Sequence, residues 1–134
     1  PEEQLADLQS LGGSEKILIV DDEAELLDLL ADTLGTFGYE ISKASTANEA
    51  LESLKQRPVD LLLTDFSMPG KNGIELARVV RRDHPTTKII LCTGYRDLFG
   101  SETATSDLID AKVSKPLDAL ALNREIRACL SRTP

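Results

Sequence analysis

Apolar residues along this chain fall into two alternating rhythms. Short unbroken runs, such as Ile17-Leu18-Ile19-Val20 and Leu61-Leu62-Leu63, are followed by longer stretches with apolar positions three or four apart. The first rhythm suits a strand buried on both faces, the second an amphipathic helix. Lys16 to Val20 therefore predicts a first strand. Leu26, Leu27, Leu30, Leu34 and Phe37 predict a helix that Gly38 stops. Tyr39 to Ala44 alternates weakly and predicts a second strand. Thr46 is placed to cap a helix carrying Ala47, Ala50, Leu51 and Leu54, ended before Pro58. Val59 to Thr64 predicts the third strand, Gly73 to Arg82 the third helix, and Lys88 to Cys92 the fourth strand.

Thr93 to Asp110 breaks the pattern. Gly94, Gly100 and many Ser and Thr residues lower helix propensity there. The expectation is a short or mobile helix between the fourth and fifth strands. Ala111 to Ser114 follows as a short fifth strand, and Asp118 caps a last helix with Leu120, Leu122, Ile126 and Leu130. A strand–helix pair repeated five times implies parallel strands and right-handed crossovers. The expected fold is α/β: a flavodoxin-like (βα)5 three-layer sandwich on a parallel five-stranded sheet, order 2-1-3-4-5. Residues 1–15 read as a linker or N-terminal extension. They hold Leu5, Leu8 and Leu11 at helical spacing and then Gly12-Gly13-Ser14. The domain proper is expected over 16–132.

Composition narrows the function classes. Aromatics are only 4% of 134 residues, which argues against a base-stacking platform. The net charge of −8 disfavours direct nucleic-acid binding and anionic membrane contact. Cys92 and Cys129 sit in apolar patterns and read as reduced packing residues. No signal peptide or run of transmembrane length is visible, so a cytoplasmic setting is the expectation.

In the expected topology, Asp21, Asp22, Asp65, Thr93 and Lys115 lie at strand C-termini around one shallow cleft, where open α/β sheets bind ligands. Three crowded carboxylates raise one another's pKa unless a cation neutralises them. Mg²⁺, which takes one or two carboxylates plus waters, fits that set. Lys115 adds an amine, and Thr93 a hydroxyl beside Gly94. The set suits phosphoryl transfer onto a carboxylate, with Asp65 as the central candidate nucleophile. Each residue also has a plainer role. Asp21 and Asp22 suit a helix cap and Asp65 an Asx turn before Met68-Pro69, while Thr93 and Lys115-Pro116 suit turn and strand-end positions. It is their joint placement on one alternating pattern that favours chemistry.

The motifs Ile19-Val20-Asp21-Asp22-Glu23, Thr64-Asp65-Phe66-Ser67-Met68-Pro69 with Gly73, Leu91-Cys92-Thr93-Gly94 and Ser114-Lys115-Pro116 resemble the receiver domains of bacterial two-component response regulators. The resemblance runs from Lys16 to Leu130. It implies that Asp65 accepts a phosphoryl group from a sensor histidine kinase or phosphotransfer domain. It implies Mg²⁺ on Asp22, Asp65 and the Ser67 carbonyl, with Asp21 acting through water. It implies that Lys115 pairs with the phosphoryl group, that Thr93 moves to hydrogen-bond it, and that Lys115–Pro116 is cis. The domain would not be an enzyme, though it would promote its own phosphoryl transfer and dephosphorylation. Its output would be a surface shift around the helix before the fifth strand and that strand itself. Downstream effector or adjoining domains, and a weak homodimer, complete the partners so implied. The Gly-Gly-Ser stretch favours a receiver that follows other domains, as at the end of a hybrid kinase.

One position departs from the family pattern. Lys112 stands where a switching Tyr or Phe is usual, three residues before Lys115. Tyr95 and Phe99 are near in sequence but off that position. Ser67 and Tyr95, each two residues after a site residue, are expected to tune hydrolysis of the acyl phosphate. Two other readings stand beside this one. In an aspartyl phosphohydrolase of the haloacid-dehalogenase type, Ser67 occupies the place of the second acid. A pseudo-receiver acting without phosphorylation draws its support from Lys112.

Overall fold

The computed structural model describes residues 12–94 and 108–131. Its strands are β1 (Lys16–Val20), β2 (Glu40–Ala44), β3 (Leu61–Asp65), β4 (Lys88–Thr93) and β5 (Ala111–Ser114). Its helices are α1 (Ala24–Gly35), α2 (Ala47–Gln56), α3 (Gly73–Asp83) and α4 (Ala119–Ser131). All strand pairs are parallel, in the expected order β2-β1-β3-β4-β5. The expected helix between the fourth and fifth strands, the Leu5–Leu8–Leu11 stripe, Tyr95 and Phe99 lie outside the described residues.

The unbroken apolar runs belong to strands covered on both faces. Ile17, Ile19, Leu61, Leu63 and Ile90 point to one layer, where they meet Leu27, Leu30 and Leu34 of α1 and Leu122 and Ile126 of α4. Leu18, Val20, Leu62 and Ile89 point the other way, onto Ala47, Ala50 and Leu54 of α2 and Leu76, Ala77 and Val80 of α3. A one-residue slip would exchange the two sets, so register is strongly specified. β2, an edge strand, is the weak alternator, and only Ala44 in it is buried.

Helix boundaries follow local chemistry. Thr46 accepts a bond from the Glu49 amide at 3.1 Å, while Ser45 holds the Glu49 carboxylate. Asn72 and Glu75 form a reciprocal capping box on α3. Asp118 accepts from the Leu120 amide. After α1, Gly38 takes φ 100°, a conformation open to glycine.

Several edges moved from expectation. β3 begins at Leu61 rather than Val59, whose carbonyl accepts from the Thr87 hydroxyl at 2.9 Å. β2 starts one residue later than expected, β4 gains Thr93 and α3 gains Asp83. Cys92 and Cys129 are buried. Among the described residues no helix is long and apolar enough to cross a membrane.

Candidate functional site

The C-terminal ends of β1, β3, β4 and β5 bring the chemistry together. Asp65 is the last residue of β3 and pairs in register with Cys92 of β4. Its position is guarded from beneath. A Cβ added at Gly73 would collide with the Asp65 carbonyl oxygen and crowd a Leu91 methyl, so α3 starts this close to β3 only because residue 73 has no side chain. The Gly73 amide donates to the Phe66 carbonyl at 2.8 Å, closing the Ser67–Asn72 loop. Gly70 turns that loop with φ 78°.

Asp21, Asp22 and Asp65 each offer a carboxylate oxygen within 4.8 Å of the others. The expected shallow cleft is deeper than the sequence implied: Asp65 is 5% and Asp21 3% exposed, while Asp22 is open to solvent. Strand-terminal carboxylates are covered here by the flanking loops, so Asp22 and the half-buried Lys115 form the outer edge.

Lys115 reaches across the sheet. Its Nζ lies 3.1 Å from Asp65 Oδ1 and 3.6 Å from Asp21 Oδ2. The Lys115 amide donates to the Thr93 carbonyl at 2.8 Å, extending the β4–β5 ladder to the residue that carries the amine. Lys115–Pro116 is cis, as expected. Asp21 does two jobs: Oδ1 accepts from the Glu23 amide at 2.9 Å, near the start of α1, while Oδ2 faces Lys115. The capping role expected of Asp21 is therefore not realised: α1 starts from Glu23 with no side-chain cap bond, and Asp21 makes a local turn onto the Glu23 amide instead.

Electrostatics follow burial. Desolvation pushes the Asp65 carboxyl above its ordinary value, and Asp21 and Asp22 push the same way; Lys115 only partly offsets them. Burial pulls Lys115 down, but its bond to Asp65 and the charges of Asp65, Asp21 and Glu23 outweigh that and raise it. The ammonium is thereby held in its charged form. The Cys92 thiol behind Asp65 is pushed up to about 12, chiefly by burial.

Thr93 is buried and its hydroxyl donates to the Val113 carbonyl at 3.4 Å, a long bond directed towards β5. Ser67 is exposed in the loop after Asp65. Lys112 is exposed on β5, in register with Leu91. Among the described residues, three carboxylates facing the Lys115 ammonium leave surplus negative charge, and an all-oxygen donor set of this kind fits a hard divalent cation. Sequence reasoning did not single out Glu23, which acts electrostatically on Lys115, and gave no physical reason for Gly73. The signal for Glu23 was its adjacency to the acidic pair.

The response regulator receiver domain family matches residues 17–127. The chain is 36% identical over 119 residues to the regulatory protein VanR of Enterococcus faecium, covering 89% of this chain and 51% of that protein. It is 37% identical over 123 residues to the phosphate regulon transcriptional regulatory protein PhoB of Pseudomonas aeruginosa, covering 87% and 52%. It thus spans about half the length of these curated relatives. The crystal structure of a CheY-like response regulator receiver domain protein from Methanospirillum hungatei superposes with TM-score 0.81 at 33% identity, over 88% of this chain and 94% of that one.

Proposed function

The chain belongs to the response regulator receiver domain family, and on that footing we propose that it works in phosphorelay signalling by accepting a phosphoryl group on Asp65. The donor in this reading is a phosphohistidine on a sensor kinase or phosphotransfer domain. A carboxylate oxygen of Asp65 attacks phosphorus, the P–N bond breaks, and its electron pair leaves with the imidazole nitrogen. The observation that carries the reading is the Lys115 ammonium lying 3.1 Å from Asp65 while bracketed by Asp21.

Each residue has a task. Lys115 holds the Asp65 carboxylate in place and then neutralises charge on the incoming phosphoryl oxygens. Asp22, Asp65 and the Ser67 carbonyl would hold Mg²⁺, with Asp21 acting through water. Bound there, the ion supplies charge neutralisation for the phosphoryl oxygens. The Thr93 hydroxyl gives up its long bond to Val113 and donates to the phosphoryl group, which pulls on the β4–β5 ladder. The output surface lies around the β4–β5 connection and β5. Lys112 in place of an aromatic means that this coupling lacks a ring to swing inward. The domain promotes its own phosphorylation and dephosphorylation but turns over no separate substrate. A cytoplasmic setting and effector or adjoining domains belong to the same reading.

The test is treatment with acetyl phosphate, or with beryllofluoride, in the presence and absence of Mg²⁺, read by intact mass and by spectral change. The expected result is one phosphoryl group, dependent on Mg²⁺ and lost in Asp65→Asn. Continuous turnover of the donor would instead identify a phosphohydrolase. No modification and no response to beryllofluoride would identify a domain that acts without phosphorylation.

A further inference from the structure

The chain reaches β1 through four residues whose composition suggests slack, Gly12-Gly13-Ser14 ahead of Glu15. A glycine pair beside a serine suits a flexible linker, which would put the edge of the domain at Lys16. The contacts of these residues are those of packed backbone. A Cβ added at Gly12 would collide with the Phe37 carbonyl oxygen and crowd Phe37 Cβ. A Cβ at Gly38 would come within 2.6 Å of the Gly13 carbonyl oxygen. Phe37 is itself buried in the core layer formed with α1 and α4. Two stretches of backbone thus touch where glycine leaves no Cβ between them.

Side chains hold the same four residues. Arg127 Nη1 of α4 donates to both Glu15 carboxylate oxygens, at 2.7 and 2.8 Å. A Cβ at Gly13 would meet both members of that pair, the Glu15 carboxylate and Arg127 Nη1. The Glu15 carbonyl accepts from the Glu40 amide at 3.0 Å, one residue ahead of the β1–β2 ladder. Asn123, one turn before Arg127 on α4, accepts a 2.6 Å bond from the buried Tyr39 hydroxyl. One face of α4 therefore grips both the lead-in to β1 and the residue that opens β2.

We propose that Gly12 to Glu15 form a latch, built into the domain, that fixes the direction in which the preceding chain leaves it. The glycines serve contact here, not slack. The latch has two halves: the crossing of Gly12-Gly13 over Phe37-Gly38, and the Glu15–Arg127 pair. It is local. Arg127 and Glu15 are 36% and 30% exposed, so the pair can part while the sheet stays closed, as segments with few buried contacts do. With the latch shut, chain attached ahead of Gly12 turns together with α4 and the α1–β2 turn. With it open, that coupling is lost. None of this depends on the reading of Asp65.

The experiment is backbone ¹⁵N relaxation on the full chain, read at the Gly13 and Ser14 amides against those of β1. The expected order parameters are about 0.85, those of rigid backbone, where a linker would read below about 0.6. Gly12→Ala pushes the backbone off Phe37, and Arg127→Gln removes the charge facing Glu15. Each should bring Gly13 and Ser14 below about 0.6 while β1 stays near 0.85. Low order at Gly13 and Ser14 in the native chain overturns the proposal. A variant that leaves them rigid also overturns it, because that half of the latch is then idle. So does a variant that loosens β1 along with them, since those contacts then hold the fold and not a local latch.

Discussion

The two ends of the sheet carry similar numbers of acids and use them in opposite ways. At the N-terminal end Asp60, Asp110 and Glu15 each meet local donors. Asp60 Oδ2 accepts from the Lys16 amide at 2.8 Å, and the Asp60 backbone links β1 to β4 through Lys16 and Lys88. Asp110 Oδ2 accepts from the Ile89 amide at 2.7 Å and from Arg81 at 2.9 Å. Arg81 also reaches the Leu108 carbonyl at 3.0 Å. Glu15 faces Arg127, whose bond and charge overcome burial and hold its carboxyl below the ordinary value. At the C-terminal end, Asp21, Asp22 and Asp65 converge with Lys115 as their near cation, and the Asp65 carboxyl is held above its ordinary value. The first end is arranged for stability. The second holds charge that folding alone disfavours, a cost that family members accept at functional sites.

The largest effect that separates the two ends comes from Asp65→Asn. Phosphoryl acceptance is expected to vanish by intact mass, while the metal-free melting temperature at neutral pH rises. The sign follows from the raised carboxyl: the folded state prefers Asp65 protonated, so stability falls as pH rises from the ordinary 3.8 through the raised value. A lower melting temperature in Asp65→Asn would erase the contrast between the ends.

Mg²⁺ comes next. At a hundredfold excess over its dissociation constant it should stabilise the native chain by about 2.7 kcal/mol. Little of that gain should survive in Asp65→Asn, as measured by urea titration with and without the ion.

Asp110→Ala strikes the opposite end. It leaves the Ile89 amide and Arg81 without their carboxylate and should lower unfolding free energy by about 1–3 kcal/mol. Beryllofluoride binding in the surviving folded fraction should be little changed. Gly73→Ala should destabilise by a similar amount, about 1–3 kcal/mol, by overpacking against the Asp65 carbonyl. Unlike Asp110→Ala, it should also weaken the response to beryllofluoride.

The smallest effect concerns Glu15 and Arg127, both partly exposed, whose pairing is worth at most about 1 kcal/mol. Because the Glu15 carboxyl is lowered in the folded state, this contribution is present above the ordinary 4.5 and disappears as pH falls through the lowered value. Glu15→Gln should flatten that limb of the stability–pH profile, opposite in sign to the Asp65 effect. An unchanged profile would show that this pair adds nothing.

Local chemistry was readable from the residues themselves. The runs at Ile17–Val20 and Leu61–Leu63 and the caps at Thr46 and Asp118 act over a few residues, so their spacing in the chain is their spacing in space; the first helix, by contrast, ends at Gly35, three residues before the expected stop at Gly38. The parallel order followed too, since alternating strands and helices leave few compact arrangements. Tertiary structure alone decided how deep each acid lies. Asp21 and Asp22 are neighbours in sequence, yet one is buried and the other open, because only the folded sheet sets which side chain turns inward. It also decided that Lys115 meets Asp65 across fifty residues, that Arg81 and Asp110 lock the far end, and that Gly73 has no room for a methyl group. Those facts depend on strand register and on the closeness of packed layers, which arise when distant segments share one core.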